Sequence, residues 1–219
     1  MNFSLKTLIP FFLFLLIFLV AAFFYPQLPE GMGSHWNAAG EIDGWMNKDS
    51  FYLLNLGLLA GIYILFLIIP KIDPLKENIK KFESYYYALM DLMIGFMGYV
   101  FLLTIAANLG VEFNMTLVLM PAMAALFFFL SVILEKAKRN WFVGIRTPWT
   151  LSSDEVWDKT HALGAKVFKL LAVLFLLIIF LPAPYTVWII LTVVLAGTFG
   201  LILYSYLEYR KIEQGLKKK

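Results

Sequence analysis

Cysteine is absent from this 219-residue sequence and histidine appears only twice. The first absence excludes disulfides, thiolate nucleophiles and cysteine metal sites; the second leaves few imidazole bases or ligands. Charge is scarce too, at 15% of residues against roughly 25% in soluble domains. Apolar residues take its place, at 61% with a mean hydropathy of +0.79. A helix needs about 20 mostly apolar residues to cross roughly 30 Å of hydrocarbon. Six runs approach that length, at residues 7–25, 51–70, 85–109, 115–134, 167–182 and 185–207. The predicted fold is an all-α integral membrane protein with six transmembrane helices. The first run is longer than a signal-peptide core and ends in Phe23, Phe24 and Tyr25, so it reads as a retained helix.

Basic residues are missing from one side. Of 18 Lys and Arg, Lys48 alone lies between the first and second runs, and the connections near 110–114 and 182–185 hold none. The rest sit at the N-terminus, in the second loop, in the fourth loop and its edge, and in the tail. The positive-inside rule then predicts a multi-pass protein of the cytoplasmic membrane with both termini inside. Its long outer loop is 26–50 and its long cytoplasmic loop 135–166. The net charge of +3 fits contact with anionic headgroups, most of all at Lys217, Lys218 and Lys219. No folded basic face or module for nucleic acid is present.

Each long loop has its own motif. The outer one carries HWNAAGEIDGW at 35–45; NAAG (37–40) and DG (43–44) are turn-forming, which predicts a short hairpin. Trp36 and Trp45 suit the headgroup level, and the loop reads first as an interfacial lid that adds little to the helix bundle. The sharper reading makes His35, Trp36, Asn37, Gly40, Asp43, Gly44 and Trp45 a ligand-facing set. One histidine with scattered acids does not place three metal ligands on a rigid element.

The cytoplasmic loop reads NWFVGIRTPWTLSSDEVWDKTH at 140–161. Ser152 and Glu155 have the spacing of a capping box, which predicts a helix from about Ser153 into the fifth span. Asp154, Asp158 and His161 share one face of it, beside an apolar stripe of Trp157, Gly164 and Phe168. They are weak candidates for a metal or acid–base site, since acids at a helix N-terminus already suit its dipole. Arg146, flanked by Trp141 and Trp149, is placed to grip a lipid phosphate, a carboxylate such as Asp154, or a partner protein. Asn140, Gly144, Thr147 and Pro148 complete the candidate partner- or lipid-binding set, with Trp157 and His161.

Both motifs match known patterns. HWNAAGEIDGWMNK resembles the signature of a short domain of unknown function that accompanies SdpI-like membrane proteins at their N-terminus. NWFVGIRTPWTLSSDEVWDKTHALGAK resembles the core signature of the SdpI family, with its GIRTPWT and WDKTH elements. The resemblance implies a prokaryotic membrane protein conferring immunity to a secreted toxic peptide, with His35 to Trp45 facing the toxin. It further implies a signalling role in which a small transcriptional repressor is held at the membrane, and it implies no enzyme and no cofactor.

Asp91 stands inside the third span. At the membrane centre such a residue costs around 2.5–3.5 kcal/mol on insertion scales and is a functional candidate by default, with Lys169 as its expected partner. The chain also divides into a three-span half at 1–114 and another at 115–219, entering the membrane from opposite sides. Trp36, Gly40 and Trp45 are faintly echoed by Trp141, Gly144 and Trp149. Such halves keep a small transporter with inverted repeats as the alternative, with a membrane-embedded metal-dependent enzyme behind it.

Overall fold

The computed structural model describes residues 5–37, 39–181 and 183–216. The chain runs through α1 (Leu5–Phe24), strands β1 (Gly31–Trp36) and β2 (Ile42–Asn47), α2 (Lys48–Ile72), α3 (Lys76–Lys81), α4 (Glu83–Asn108), α5 (Met115–Lys136), α6 (Pro148–Ser152), α7 (Asp154–Ile178) and α8 (Ala183–Leu216). Among the described residues six helices, all but α3 and α6, are long and apolar enough to cross a membrane. The protein is an all-α multipass membrane protein with one small antiparallel hairpin. Six crossings return the chain to the face where it started. That face, with most Lys and Arg, is called the basic face below, and its opposite the hairpin face. Lys217 to Lys219, expected at the lipid surface, and Ala38 of the NAAG sequence lie outside the described residues.

Helix starts follow their polar caps. The Asn47 side chain accepts from the N–H groups of Asp49 (2.9 Å) and Ser50 (3.4 Å) to open α2. Asn114 accepts from Leu117 N–H (3.1 Å) to open α5. Each satisfies donors that the first helical turn leaves free.

The Ser152–Glu155 capping box does not form. The Ser152 hydroxyl donates to the Pro148 carbonyl at 2.5 Å, and Ser153, in extended backbone, caps α7 by accepting from Val156 N–H at 3.3 Å. A box exists one helix earlier, at α6. There Thr147 accepts from Thr150 N–H (3.1 Å), and the Thr150 hydroxyl accepts from Thr147 N–H (2.9 Å). Helix α7 thus begins well before the apolar run at 167–182, because its first half is amphipathic. The expected loop 135–166 is irregular only over 137–147 and at Ser153.

The spans pack as two groups. Helices α1 and α2 flank α4, around a core that includes Ile17, Ala21, Leu59, Phe66, Met90 and Phe101. Helix α5 packs most extensively on α7, which carries α8, around Met120, Ala124, Leu171, Phe175 and Ile178. Helices α4 and α5 join the groups. Buried phenols in the first group satisfy themselves on neighbouring backbone: Tyr52 donates to the Ala21 carbonyl (2.9 Å) and Tyr86 to that of Phe66 (2.8 Å). In hydrocarbon an unmatched hydroxyl is costly.

Candidate functional site

On the hairpin face, β1 pairs with β2 in a register that sets Gly33 opposite Trp45 and His35 opposite Gly44, with irregularities on both sides of His35. The turn runs through Ala39 and Gly40. Asn37 organises it: its N–H donates to Glu41 O (2.9 Å), and its side-chain oxygen accepts from the N–H groups of Ala39 (2.9 Å) and Glu41 (3.1 Å). Gly40 closes it through a hydrogen bond to Asn37 O at 2.9 Å. The DG at 43–44 is not a turn but part of β2. Gly44 is needed there for close approach, since a Cβ would stand 2.9 Å from that of His35.

The hairpin is built into the bundle, contrary to the expectation of a lid adding little to it. Met32 is fully buried in the core. Asn108, at the end of α4, holds the Gly33 residue from both sides, accepting from its N–H (2.8 Å) and donating to its carbonyl (2.9 Å). Asn114 donates to Ala39 O at 3.1 Å. Lys48, the one basic residue of this face, is buried with its ammonium 3.0 Å from Glu30 and over the Tyr25 ring. Neither Asn108 nor Asn114 was singled out in the sequence, although both flank the short connection between the halves.

The hairpin roofs a cavity of about 390 Å³ between α2, α4 and α5. His35, Trp36 and Asn37 form its roof, and Asn55 and Thr104 add polar groups to an apolar floor that includes Phe51 and Leu119. Asn55 and Thr104 donate to carbonyls of their own helices (2.9 and 3.0 Å), so they leave acceptors for a guest. Asp43 does not line the cavity; it pairs with His35 at 2.5 Å on the exposed side. Gly40 and Gly44 lie outside its lining as well, and Trp45 is 66% exposed, away from it. Of the seven outer candidates, His35, Trp36 and Asn37 therefore line the cavity, His35 with its exposed ring turned to Asp43, and the other four lie outside it.

On the basic face, the 140–161 motif forms a folded cap over α7 and α8. Trp157 is fully buried; its indole N–H donates to Ala137 O at 2.9 Å, and its ring stacks on His161 at 4.0 Å. His161 accepts at Nε2 from Ile145 N–H (3.0 Å) and donates at Nδ1 to Trp157 O (2.8 Å). These roles fix a neutral imidazole with its proton on Nδ1. Gly144 sits over the pair at φ 125°, where a Cβ would meet His161 Nε2 at 2.4 Å. The Thr147 hydroxyl reaches Ser205 of α8 at 3.0 Å, and Trp149 packs on Tyr206. Asn140 ties its own loop, donating to the carbonyls of Lys138 and Val143 and accepting from the N–H groups of Phe142 and Val143.

Two residues missed in the sequence tie this cap to the first half. Asp73, nearly fully buried, accepts from Trp141 N–H at 2.9 Å, and Asn78 donates to Arg139 O at 2.8 Å. Asp73 has a faint signal in standing just before Pro74, a turn position.

Asp154, Asp158 and His161 do not converge. Asp154 pairs with Arg139 (2.7 Å) and Asp158 with Lys138 (3.3 Å), while both His161 nitrogens serve backbone groups. Among the described residues no group of three His, Asp or Glu is arranged to hold a metal ion. Arg146 does not reach Asp154; it donates to Trp141 O at 2.8 Å and is exposed, as Trp141 is. Beneath the cap, Arg146, Thr147, Pro148 and Trp149 border a cavity of about 500 Å³ with Phe168 and Leu201. The two long loops thus cover separate cavities at opposite ends of the bundle.

The Asp91–Lys169 pair is also absent. Lys169 is held by Glu135 at 2.6 Å, because the two side chains meet where α5 and α7 pack. Asp91 faces the other side of α5, in a cleft with α4.

Comparison with known proteins follows this division. Residues 136–205 match the SdpI/YfhL protein family, covering the basic-face cap, α7 and most of α8. Residues 12–60 match a domain of unknown function, DUF1648, covering most of α1, the hairpin and the first half of α2. The chain is 23% identical over 207 residues to the Immunity protein SdpI of Bacillus subtilis (strain 168), an alignment covering 94% of this chain and 97% of that protein. No solved structure matches it. The six-span chain therefore carries a segment matching DUF1648 followed by a segment matching the SdpI/YfhL protein family, and its sequence is similar along nearly its whole length to an immunity protein.

Proposed function

We propose that this is a membrane immunity protein that protects the cell carrying it from a secreted toxic peptide, with the hairpin face outside and both termini in the cytoplasm. The observation that carries the reading is the similarity to the Immunity protein SdpI over 94% of the chain, with both motifs in place. The hairpin-roofed cavity supports a peptide contact from outside: it joins an aromatic roof to an apolar floor with a few acceptors, the composition of a recognition pocket. On the other face, exposed Arg146 and Trp141 form the surface for a small repressor protein held at the membrane. Cells deleted for the gene and challenged with toxic peptides secreted by neighbouring strains should lose survival at least tenfold and regain it from a plasmid copy. Equal survival with and without the protein, at confirmed membrane abundance, overturns the reading.

Orientation has its own test. The absence of native cysteine makes single-cysteine labelling unambiguous, and Ala39, Glu77 and Ser152 are exposed. An impermeant maleimide should label Ala39→Cys in intact cells, and Glu77→Cys and Ser152→Cys only after permeabilisation. This follows from the single basic residue on the hairpin face. The reverse pattern would place the hairpin cavity inside the cell, out of a secreted peptide's reach.

A further inference from the structure

On one side of the bundle α4 and α5 border a cleft of about 660 Å³ that is open outward, since Tyr85, Tyr99 and Phe129 of its lining are exposed. On α4 its lining runs from Tyr85 to Tyr99, a rise of about 21 Å. The walls are almost wholly apolar and partly small: Ala88, Gly95, Ala122 and Ala125 leave the space, and Phe96 and Phe129 add aromatic rings. Asp91 is the one acidic residue in its lining. Asp91 lies about 12 Å along α4 from Glu83, and its Oδ1 is buried without a hydrogen-bond partner.

The cations within the same region are committed elsewhere. Lys6, at the start of α1, pairs with Glu83 at 2.6 Å, and Lys169 pairs with Glu135 at 2.6 Å. Among the described residues no ion pair reaches Asp91. An intramembrane acid that faces a cavity without an internal counter-ion marks a place for a positive charge from outside the chain. The aromatic rings beside it favour a cation further, since ring faces attract ammonium-type groups. Volume and lining are those of a small-molecule pocket, mostly apolar with one orienting polar group.

We propose that the α4–α5 cleft is a binding site for a lipophilic monocation, an apolar body carrying one quaternary or protonated amine-like charge, with Asp91 as its counter-ion. The guest enters laterally from the bilayer, where such molecules partition. The site is separate from the hairpin-roofed cavity and from the basic-face cap, so it does not depend on the immunity reading. Its charge selectivity comes from Asp91 and its size limit from the small side chains opposite.

The test uses the full chain in lipid nanodiscs and tetraphenylphosphonium as probe, with empty nanodiscs subtracted and binding read by equilibrium dialysis. The parent should bind saturably with one site per chain, and Asp91→Asn should weaken binding at least tenfold at unchanged thermal stability. Ala125→Phe, which fills the cleft from its exposed wall and leaves Asp91 in place, should also abolish binding. Triphenylphosphine oxide, of similar shape and no net charge, should bind weakly and equally to parent and Asp91→Asn. Absence of saturable binding by the parent overturns the proposal. Equal binding by Asp91→Asn overturns it too, because the cleft then takes apolar bodies regardless of charge.

Discussion

Gly144→Val should abolish stable accumulation of the protein in the membrane, with a loss of more than about 4 kcal/mol in folding stability. The backbone at Gly144 is at φ 125°, a region closed to β-branched residues, and forcing it costs about 1–3 kcal/mol. The added atoms have nowhere to go: the first would lie 2.4 Å from His161 Nε2 and 3.0 Å from the Trp157 ring. Displacing His161 orphans the Ile145 N–H, at about 1–3 kcal/mol, and disturbs the indole that anchors α7 to Ala137. Gly144→Ala should be destabilising for the same reasons, to a smaller degree. Gly57→Ala is the control: nothing lies within 4 Å of its added Cβ, it sits inside α2, and it should stabilise by up to about 1 kcal/mol. Tryptophan-fluorescence melting in detergent checks all three. A melting temperature for Gly144→Val within a degree of the parent would refute this account of the cap.

Gly144 also shows which parts of the molecule are legible in sequence. Apolar runs report lengths of chain that avoid water, and the six spans follow from them directly. Lateral arrangement does not, because hydropathy says nothing about which helix stands beside which. Pairing Asp91 with Lys169 was reasonable by depth in the membrane and fails because α5 lies between them, offering Glu135 to Lys169. Local rules fail where two compete. Ser152 has the capping-box spacing to Glu155, but its hydroxyl is already turned back on α6, so the adjacent serine takes the role. The DG pair has turn chemistry, yet Asn37 nucleates the turn six residues earlier and register carries Gly44 into β2 opposite His35. The motif around 140–161 was visible as a motif. That Asn140, Thr147, Trp157 and His161 are buried within it was not, since a polar residue that folds a loop looks the same in sequence as one that meets a partner.

The same distinction separates the two outer tryptophans, and it gives the second large effect expected of the immunity reading. Trp36→Ala should reduce survival of toxin-challenged cells at least tenfold, whereas Trp45→Ala should change it less than threefold. Trp36 is half-buried and lines the hairpin-roofed cavity, while Trp45 is 66% exposed and outside its lining. A tryptophan in a desolvated pocket is among the residues whose truncation commonly costs 2 kcal/mol or more of binding, and tenfold in affinity is about 1.4 kcal/mol. An exposed one at the headgroup level contributes anchoring that the rest of the hairpin already supplies. Neither change should unfold the hairpin, because Met32 in the core and the paired hydrogen bonds of Asn108 to Gly33 hold it. Membrane abundance and melting temperature should therefore match the parent for both variants. His35→Ala, at the cavity roof, should follow Trp36→Ala, and Asp43→Ala, outside it, should follow Trp45→Ala. Full protection by Trp36→Ala with protection lost in Trp45→Ala would move the contact to the outer side of the hairpin, and the cavity beneath it would then have no part in immunity.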